Sequence, residues 1–521
     1  MGIPLYFRYL IKNYDNIISQ NNKFPTSTNL YLDLNCAIHY CCREVLEENP
    51  YSKQKHNSIE HKMILNVIKY IKLLVNYSQP QKLLFIAIDG PAPKAKMVQQ
   101  RQRRFKKFYE QDKTQQLKNK HKIVEEKVDI WDTNAITPGT QFMDKLAKTL
   151  KQNLETDKVF QHLQIIISDS NIPGEGEHKL LHHLRENTEK EDINVIYGLD
   201  ADLIMLCMSS KKDKILLLRE AVEFNNTIHI NGYKFLYLQI DNLKYNLTNE
   251  ILLRMDRHNM SDEERSNILD DYIFFSFLLG NDFIPHTPSL SIKNDGIDLI
   301  LDIYARYYEE YKTNLVSNEL KKINHDFLKS IFRDLGMMED GLLETFTKKR
   351  NKKRTPNKVY DTEYDRQKDL LNLYPQFNRK REVYIDQGNL DWRDRFYPEI
   401  FQVESKYEID KICHKYLEGV FWNFHYYNYG CIAWDWNYPY SQPPSFNDIY
   451  NYLNNFVSNI NHIELPKSRP FKPYEQLLMV LPSQSRDLLP KSYQSLMVDP
   501  MSDIIEYYPK EYEIETTNKY Y

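Results

Sequence analysis

The sequence predicts an α/β protein: a mostly parallel central sheet flanked by helices, with a smaller, mainly helical, aromatic-rich C-terminal region packed against it. Two observations carry this. Short β-rich runs alternate with amphipathic stretches through about the first 300 residues, the pattern of strand–helix–strand crossovers. Beyond about residue 310 the strand signal fades, and YLEGVFWNFHYYNYGCIAWDWNYPYSQPP (416–444) is too dense in aromatics to be a linker. The expected organisation is an α/β domain over 1–310, a helical and charged connector over 311–404, and the aromatic-rich region over 405–521.

NLYLDL (29–34), LLFIAID (83–89), LQIIIS (163–168) and NVIYGL (194–199) are the strands. SDEERSNILDDYIFFSFLLG (261–280) is a helix with a Ser cap and an acidic first turn, closed by Gly280. TKKRNKKRTPNKVYDTEYDRQKD (347–369) is charged and lacks apolar periodicity, so an exposed and partly flexible connector is expected. No internal repeat is visible.

Composition narrows the function classes. Lys plus Arg number 69 against 72 Asp plus Glu, so any nucleic-acid surface must come from clustering. The six cysteines form no CxxC pair and no zinc-ligand ladder, which predicts free thiols, a reducing compartment and a cytoplasmic protein. The apolar run YIFFSFLL (272–279) is far short of the roughly 20 residues that span a bilayer, so a soluble chain with no membrane partner is expected. Gly2 does not open a myristoylation signal, because Tyr6 stands where Ser or Thr is needed.

Each of the four strands runs into acids: Asp33, Asp89, the pair Glu175 and Glu177, and the pair Asp200 and Asp202. In a parallel sheet these ends share one edge, where open α/β folds place their sites. Asp282 of LLGNDF brings the set to seven. Read singly, each acid could be a helix cap or turn residue. Read together, they repel unless a cation holds them, and an all-carboxylate set suits Mg²⁺ or Mn²⁺. His178 and His182 are spaced as a helical zinc pair, but Lys179 occupies the position where a zinc protease needs glutamate.

A cationic helix follows the second strand. At about 100° per residue, Lys96, Gln100, Arg103, Arg104 and Lys107 share one face, and Val98 and Phe105 fall opposite. Lys, Arg and Gln donors together suit a phosphate. Only the turn GPAPKA separates this face from Asp89, which points to a nuclease that anchors a terminal phosphate beside its metal site.

MGIPLYFRYL, YLDLNCAIH, AIDGPAPKAKMVQQRQRRFKK, ITPGTQFM, IPGEGEHKLL, YGLDADLIML and LLGNDFIPHTPSL resemble, in order and spacing, the first conserved region of the XRN family of 5′→3′ exoribonucleases. SRPFKPYEQLLMVLP (468–482) is similar to a segment of that family's second region. The resemblance covers most of 1–310 and 405–515. It implies a sheet related to the PIN and flap-endonuclease superfamily, hydrolysis with two Mg²⁺ ions for which Mn²⁺ substitutes, and processive release of nucleoside 5′-monophosphates from single-stranded RNA with a 5′-monophosphate. By motif position, Asp33, Asp89, Glu175, Glu177, Asp200, Asp202 and Asp282 match the family's catalytic metal ligands. Lys96, Gln100, Arg103 and Arg104 match its 5′-phosphate pocket, and His39 matches a base-stacking residue. A tryptophan of the second region also stacks on RNA; of Trp434 and Trp436, Trp434 is preferred. Cys36 and Val98 depart from the family's usual residues, and the chain stops at IETTNKYY where members usually continue. A monomer is expected. The rival readings are a flap-type DNA endonuclease, which shares the acids but not the QQRQRRF helix, and a catalytically silent RNA-binding protein.

Overall fold

Runs that are apolar on both faces become central strands of a sheet covered by helices. The computed structural model describes residues 3, 5–19, 26–123, 129–220, 228–230, 232–317, 319, 321–352, 358–377 and 379–510. In it β1 (Asn29–Asp33), β2 (Leu83–Ala87) and β4 (Asn194–Tyr197) are buried at every residue, and β3 (Gln164–Ser168) is less so because it forms an edge. β5 (Ile215–Glu220), β6 (Ile228–Ile230) and β7 (Tyr233–Gln239) complete a sheet of order β3-β2-β1-β4-β5-β7-β6. Strands β1 to β5 are parallel, and β7 and β6 add an antiparallel extension. The register pairs Asp33 with Ala87, Ala87 with Ser168 and Leu32 with Tyr197, so the carboxyl ends of the strands lie level.

The helices used below are α1 (Leu34–Glu48), α2 (Lys94–Lys120), α3 (Gly176–Asn187), α4 (Ala201–Ser209), α5 (Asp262–Ser276), α6 (His325–Asn351), α7 (Lys406–Tyr429), α8 (Phe446–Phe456) and α9 (Pro473–Val480). α5 begins with a Ser261–Glu264 capping box and ends through a 3₁₀ turn at Gly280, whose φ of +82° admits glycine readily. α7 has its own capping box, Ser405 with Glu408.

One sheet face, through Tyr31, Phe85 and Ile196, shares a single apolar cluster with Tyr272, Phe327, Trp422 and Phe446. The aromatic C-terminal region is therefore built into the core of the α/β region. Leu30, Leu32, Leu84 and Ile86 bury the opposite face against α1 and neighbouring helices. Within 311–404, α6 buries Phe327, Ile331 and Leu335, and Glu339 accepts from Arg393 (2.9 Å) and from the Phe446 amide (3.1 Å). The stretch 347–369 is divided: its first residues end α6, 353–357 lie outside the described residues, and a further helix starts at Glu363. All six cysteines are free thiols, and no described helix is long and apolar enough to cross a membrane.

Candidate active site

The strand ends deliver the acids to one edge. Asp33 is the last residue of β1, Asp89 follows β2 by two, Glu175 and Asp200 immediately precede α3 and α4, and Glu177 and Asp202 sit in the first turns of those helices. None of Asp33, Glu175 or Asp200 makes a side-chain cap, so capping does not explain them. The Gly176 amide donates to Asp89 Oδ1 (2.7 Å). A Cβ at Gly176 would lie 2.6 Å from Asp33 Oδ1 and 3.3 Å from Asp89 Oδ1, so only glycine lets these two carboxylates close on the turn that carries Glu175 and Glu177. The Asn35 side chain also accepts from the Asp89 amide (3.2 Å).

The cluster is short of positive charge. Burial and then the carboxylate of Asp89 push Asp33 well above the usual range; burial and then Asp202 do the same to Glu177. Asp202 is pushed up to about 7 by burial and by Asp282. Glu177 Oε2 and Asp202 Oδ1 are buried with no hydrogen-bond partner, a costly arrangement for ionised oxygens.

Among the described residues, Lys96 enters this edge by direct contact: its Nζ lies 2.5 Å from Glu175 Oε2 and 2.8 Å from Asp282 Oδ2. The two acids respond differently. Burial opposes ionisation at both, yet Lys96 holds Asp282 below the carboxylate range while Glu175, also close to Asp89, stays above it. Both contact Lys96 directly. No three His, Cys, Asp or Glu side chains are drawn together tightly enough to grip an ion among the described residues. The donor set still fits a hard divalent cation, since it is all oxygen, includes four buried acids (Asp33, Glu175, Glu177 and Asp202) and holds two oxygens without partners.

Above this edge α2 presents its basic face. Arg103 is exposed, whereas Arg104 is mostly desolvated, which pulls its guanidinium down to about 10, and its NH1 has no partner. Gln100 is buried and its side-chain oxygen accepts from Gln476 of α9 (3.3 Å). His39 of α1 is exposed at the surface; desolvation and then the charges of Arg103 and Arg104 lower it to about 4, which favours the neutral ring. Trp434 is partly exposed, and its carbonyl accepts from the Lys94 amide at the start of α2 (2.7 Å). Trp436 is buried, stacks on Trp422 and donates to Glu418 (3.0 Å). Of the two tryptophans, only Trp434 has a face to offer a ligand.

Two contributors were not singled out from sequence. Lys179 donates to the carbonyls of Ile88 (2.7 Å) and Asp169 (2.8 Å), tying the ends of β2 and β3 together beneath Asp89. Tyr426 of α7 donates to Glu175 Oε1 (2.7 Å). The Lys179 signal was its place in GEGEHK; nothing local marks Tyr426.

Residues 1–221 match the family model described as the XRN 5′-3′ exonuclease N-terminus, and residues 262–387 and 375–521 match the Xrn1 helical domain. The human 5′-3′ exoribonuclease 1 is 31% identical over 588 residues, an alignment covering 100% of this chain and 33% of the relative. The 5′-3′ exoribonuclease 2 of Debaryomyces hansenii is 28% identical over 688 residues, covering 100% and 67%. That of Arabidopsis thaliana is 29% identical over 675 residues, covering 100% and 65%. The chain thus spans a third of the human relative and about two thirds of the other two.

Proposed function

Because the chain belongs to the XRN family of 5′-3′ exonucleases, we propose that it hydrolyses single-stranded RNA from a 5′-monophosphorylated end, processively, to nucleoside 5′-monophosphates. The observation that carries the reading is a single helix, α2, whose first turn enters the carboxylate edge through Lys96 and whose third turn holds Arg104 with an open donor. Lys96 and Arg104 are eight residues apart, about 12 Å along the axis, a span that lets one rigid element set the distance between an anchored end and a cut.

Asp33, Asp89, Glu175, Glu177, Asp200, Asp202 and Asp282 would hold two Mg²⁺ ions. Such ions would supply an acidified water and positive charge at the departing 3′ oxygen. The chain's own groups do the rest. The Gly176 amide and Asn35 fix Asp89, and Lys179 fixes the strand ends. Arg103, Arg104 and Gln100 would hold the terminal phosphate, with Lys96 reaching it from the acids. His39, neutral, and Trp434 would stack on bases, a sequence-tolerant grip. A monomer acting in the cytoplasm is the accompanying expectation.

The test is the purified protein on 5′-labelled RNA and DNA carrying 5′-monophosphate or 5′-hydroxyl ends, with Mg²⁺, Mn²⁺ or EDTA. Mononucleotide release from phosphorylated RNA, absent in EDTA, is expected. Internal cleavage of flapped DNA would replace this reading with the endonuclease, and binding without turnover would replace it with a silent RNA-binding protein.

A further inference from the structure

Four rings form a column running from the C-terminal region to the carboxylate edge. Trp436 stacks on Trp422 (centroids 5.2 Å, 23° between planes), Trp422 on Tyr426 (4.6 Å, 27°), and Tyr426 on His178 of α3 (3.9 Å, 29°). The two tryptophans and Tyr426 are buried. The column is pinned at its far end by Trp436 Nε1 on Glu418 (3.0 Å) and by Trp422 Nε1 on the Ala433 carbonyl (2.9 Å). It is also keyed to the loop bearing Asp282. Phe283 meets Trp422 and Tyr426 edge-on at 5.0 and 5.4 Å, and Asn281 donates to Asn423 (2.7 Å). α7 comes this close only because residue 419 is glycine: a Cβ there would lie 2.6 Å from Ile284 and 3.0 Å from Trp436.

The Tyr426 hydroxyl is the atom by which this column is seen to reach the acids. It donates to Glu175 Oε1, while Glu175 Oε2 turns the other way, toward Lys96. A glutamate has three rotatable side-chain bonds; fixing one oxygen to a ring that cannot move fixes the direction of the other. Apolar packing alone would be served as well by phenylalanine, so the hydroxyl calls for a reason of its own.

We propose that the Tyr426 hydroxyl is a positioning group for hydrolysis, holding Oε1 of Glu175 so that Oε2 faces Lys96, which also contacts Asp282. The C-terminal region then contributes to the chemical step through Glu175, besides any contact it makes with RNA. The inference rests on the reading of the carboxylate edge as the hydrolytic centre. Groups that orient a ligand carboxylate change metal affinity or activity by about 10- to 100-fold when removed.

The experiment is Tyr426→Phe in the full chain, which keeps the ring and deletes the hydroxyl, alongside Glu175→Gln and the double variant. Measured are kcat and KM on 5′-monophosphorylated RNA, Mn²⁺ binding without RNA by calorimetry, and the thermal melt. Tyr426→Phe is expected to lower kcat about 10- to 100-fold, to leave KM within about twofold, to weaken Mn²⁺ binding, and to keep a cooperative melt. In the double variant the Tyr426→Phe loss should vanish, because the carboxylate that the hydroxyl orients is gone. Wild-type kcat and Mn²⁺ binding in Tyr426→Phe, or losses that simply add in the double variant, overturn the proposal. A kcat loss matched by a loss of folded protein also overturns it. If Glu175→Gln itself retains full kcat, the hydrolytic reading of the edge fails first and takes this inference with it.

Discussion

The carboxylate edge and the basic face of α2 lie on adjoining parts of one surface, yet they differ in how far their groups are committed to internal partners. At the edge several acids are held by internal partners: Asp89 by the Gly176 amide, Glu175 by Tyr426 and Lys96, Asp282 by Lys96. On the helix, Arg103 is exposed and Arg104 keeps an open NH1. The edge is held but electrostatically unsatisfied, so it waits for charge; the helix has Arg103 in solvent and a buried, unpartnered donor on Arg104, so it waits for an anion. A held, frustrated centre beside a more open recognition face is the division expected of a site that selects an end first and reacts second.

The comparison can be broken most sharply at the edge. Asp202→Ala should reduce turnover on the order of a thousandfold or more, with RNA binding retained, because Asp202 makes no contact that builds the basic face. It should also raise the thermal midpoint in EDTA. Asp202 is pushed up to about 7 by burial and by Asp282, so folding at neutral pH must either bury the carboxylate ionised or have it take up a proton, and removing the group removes that cost. For a raised acid, the native state binds the proton more tightly than the unfolded chain, so wild-type stability falls as pH rises toward 7, and the variant's gain should shrink below about pH 4. Turnover above a tenth of wild type in a folded variant would show that the edge is not the reacting centre.

The helix is next. Arg104→Ala should cost roughly 10- to 100-fold in kcat/KM on 5′-monophosphorylated RNA, the value of a charge-assisted contact, and little on 5′-hydroxyl RNA. Arg103→Ala should act in the same direction. Equal losses on both ends, with a reduced salt slope, would mean that α2 grips the backbone generally.

The smallest effect on activity separates the neighbouring tryptophans. Trp434→Ala should weaken RNA binding by about 1–3 kcal/mol per stacked base with the melt unchanged. Trp436→Ala should instead lower stability, by about 3–5 kcal/mol for a buried tryptophan. A stability loss at Trp434 with unchanged RNA affinity would reverse the assignment.

Local pattern explains what was legible. Strands buried on both faces announce themselves as continuous apolar runs, and β1 to β4 fall where NLYLDL, LLFIAID, LQIIIS and NVIYGL put them, within a residue or two at each end. Parallel strands bring like ends together, so the acids at those ends could be grouped before any coordinates. β5, β6 and β7 were not read; β7 pairs antiparallel with β5 and β6 with β7, which reverses the crossover pattern that the earlier strands had set. Helical periodicity placed Lys96 on the face of Arg103 and Arg104 but could not tell that its chain reaches Glu175 and Asp282. Gln100 joined to Gln476, and Glu175 joined to Tyr426, are pairings across hundreds of residues. Periodicity and spacing carry no information at that range.

Those separations set an order of events during synthesis. Tyr426 follows Glu175 by 251 residues and Gln476 follows Gln100 by 376. At about 5–20 residues per second, the first gap alone is roughly 13–50 s of translation. Through that interval the sheet strands can pair while Glu175 lacks its hydroxyl partner and the aromatic column does not exist. Contacts of such range are also among the slowest to form once the chain is free. The emerging α/β region therefore spends its time beside the ribosome with an unfinished edge, and α7 completes the edge only when it docks.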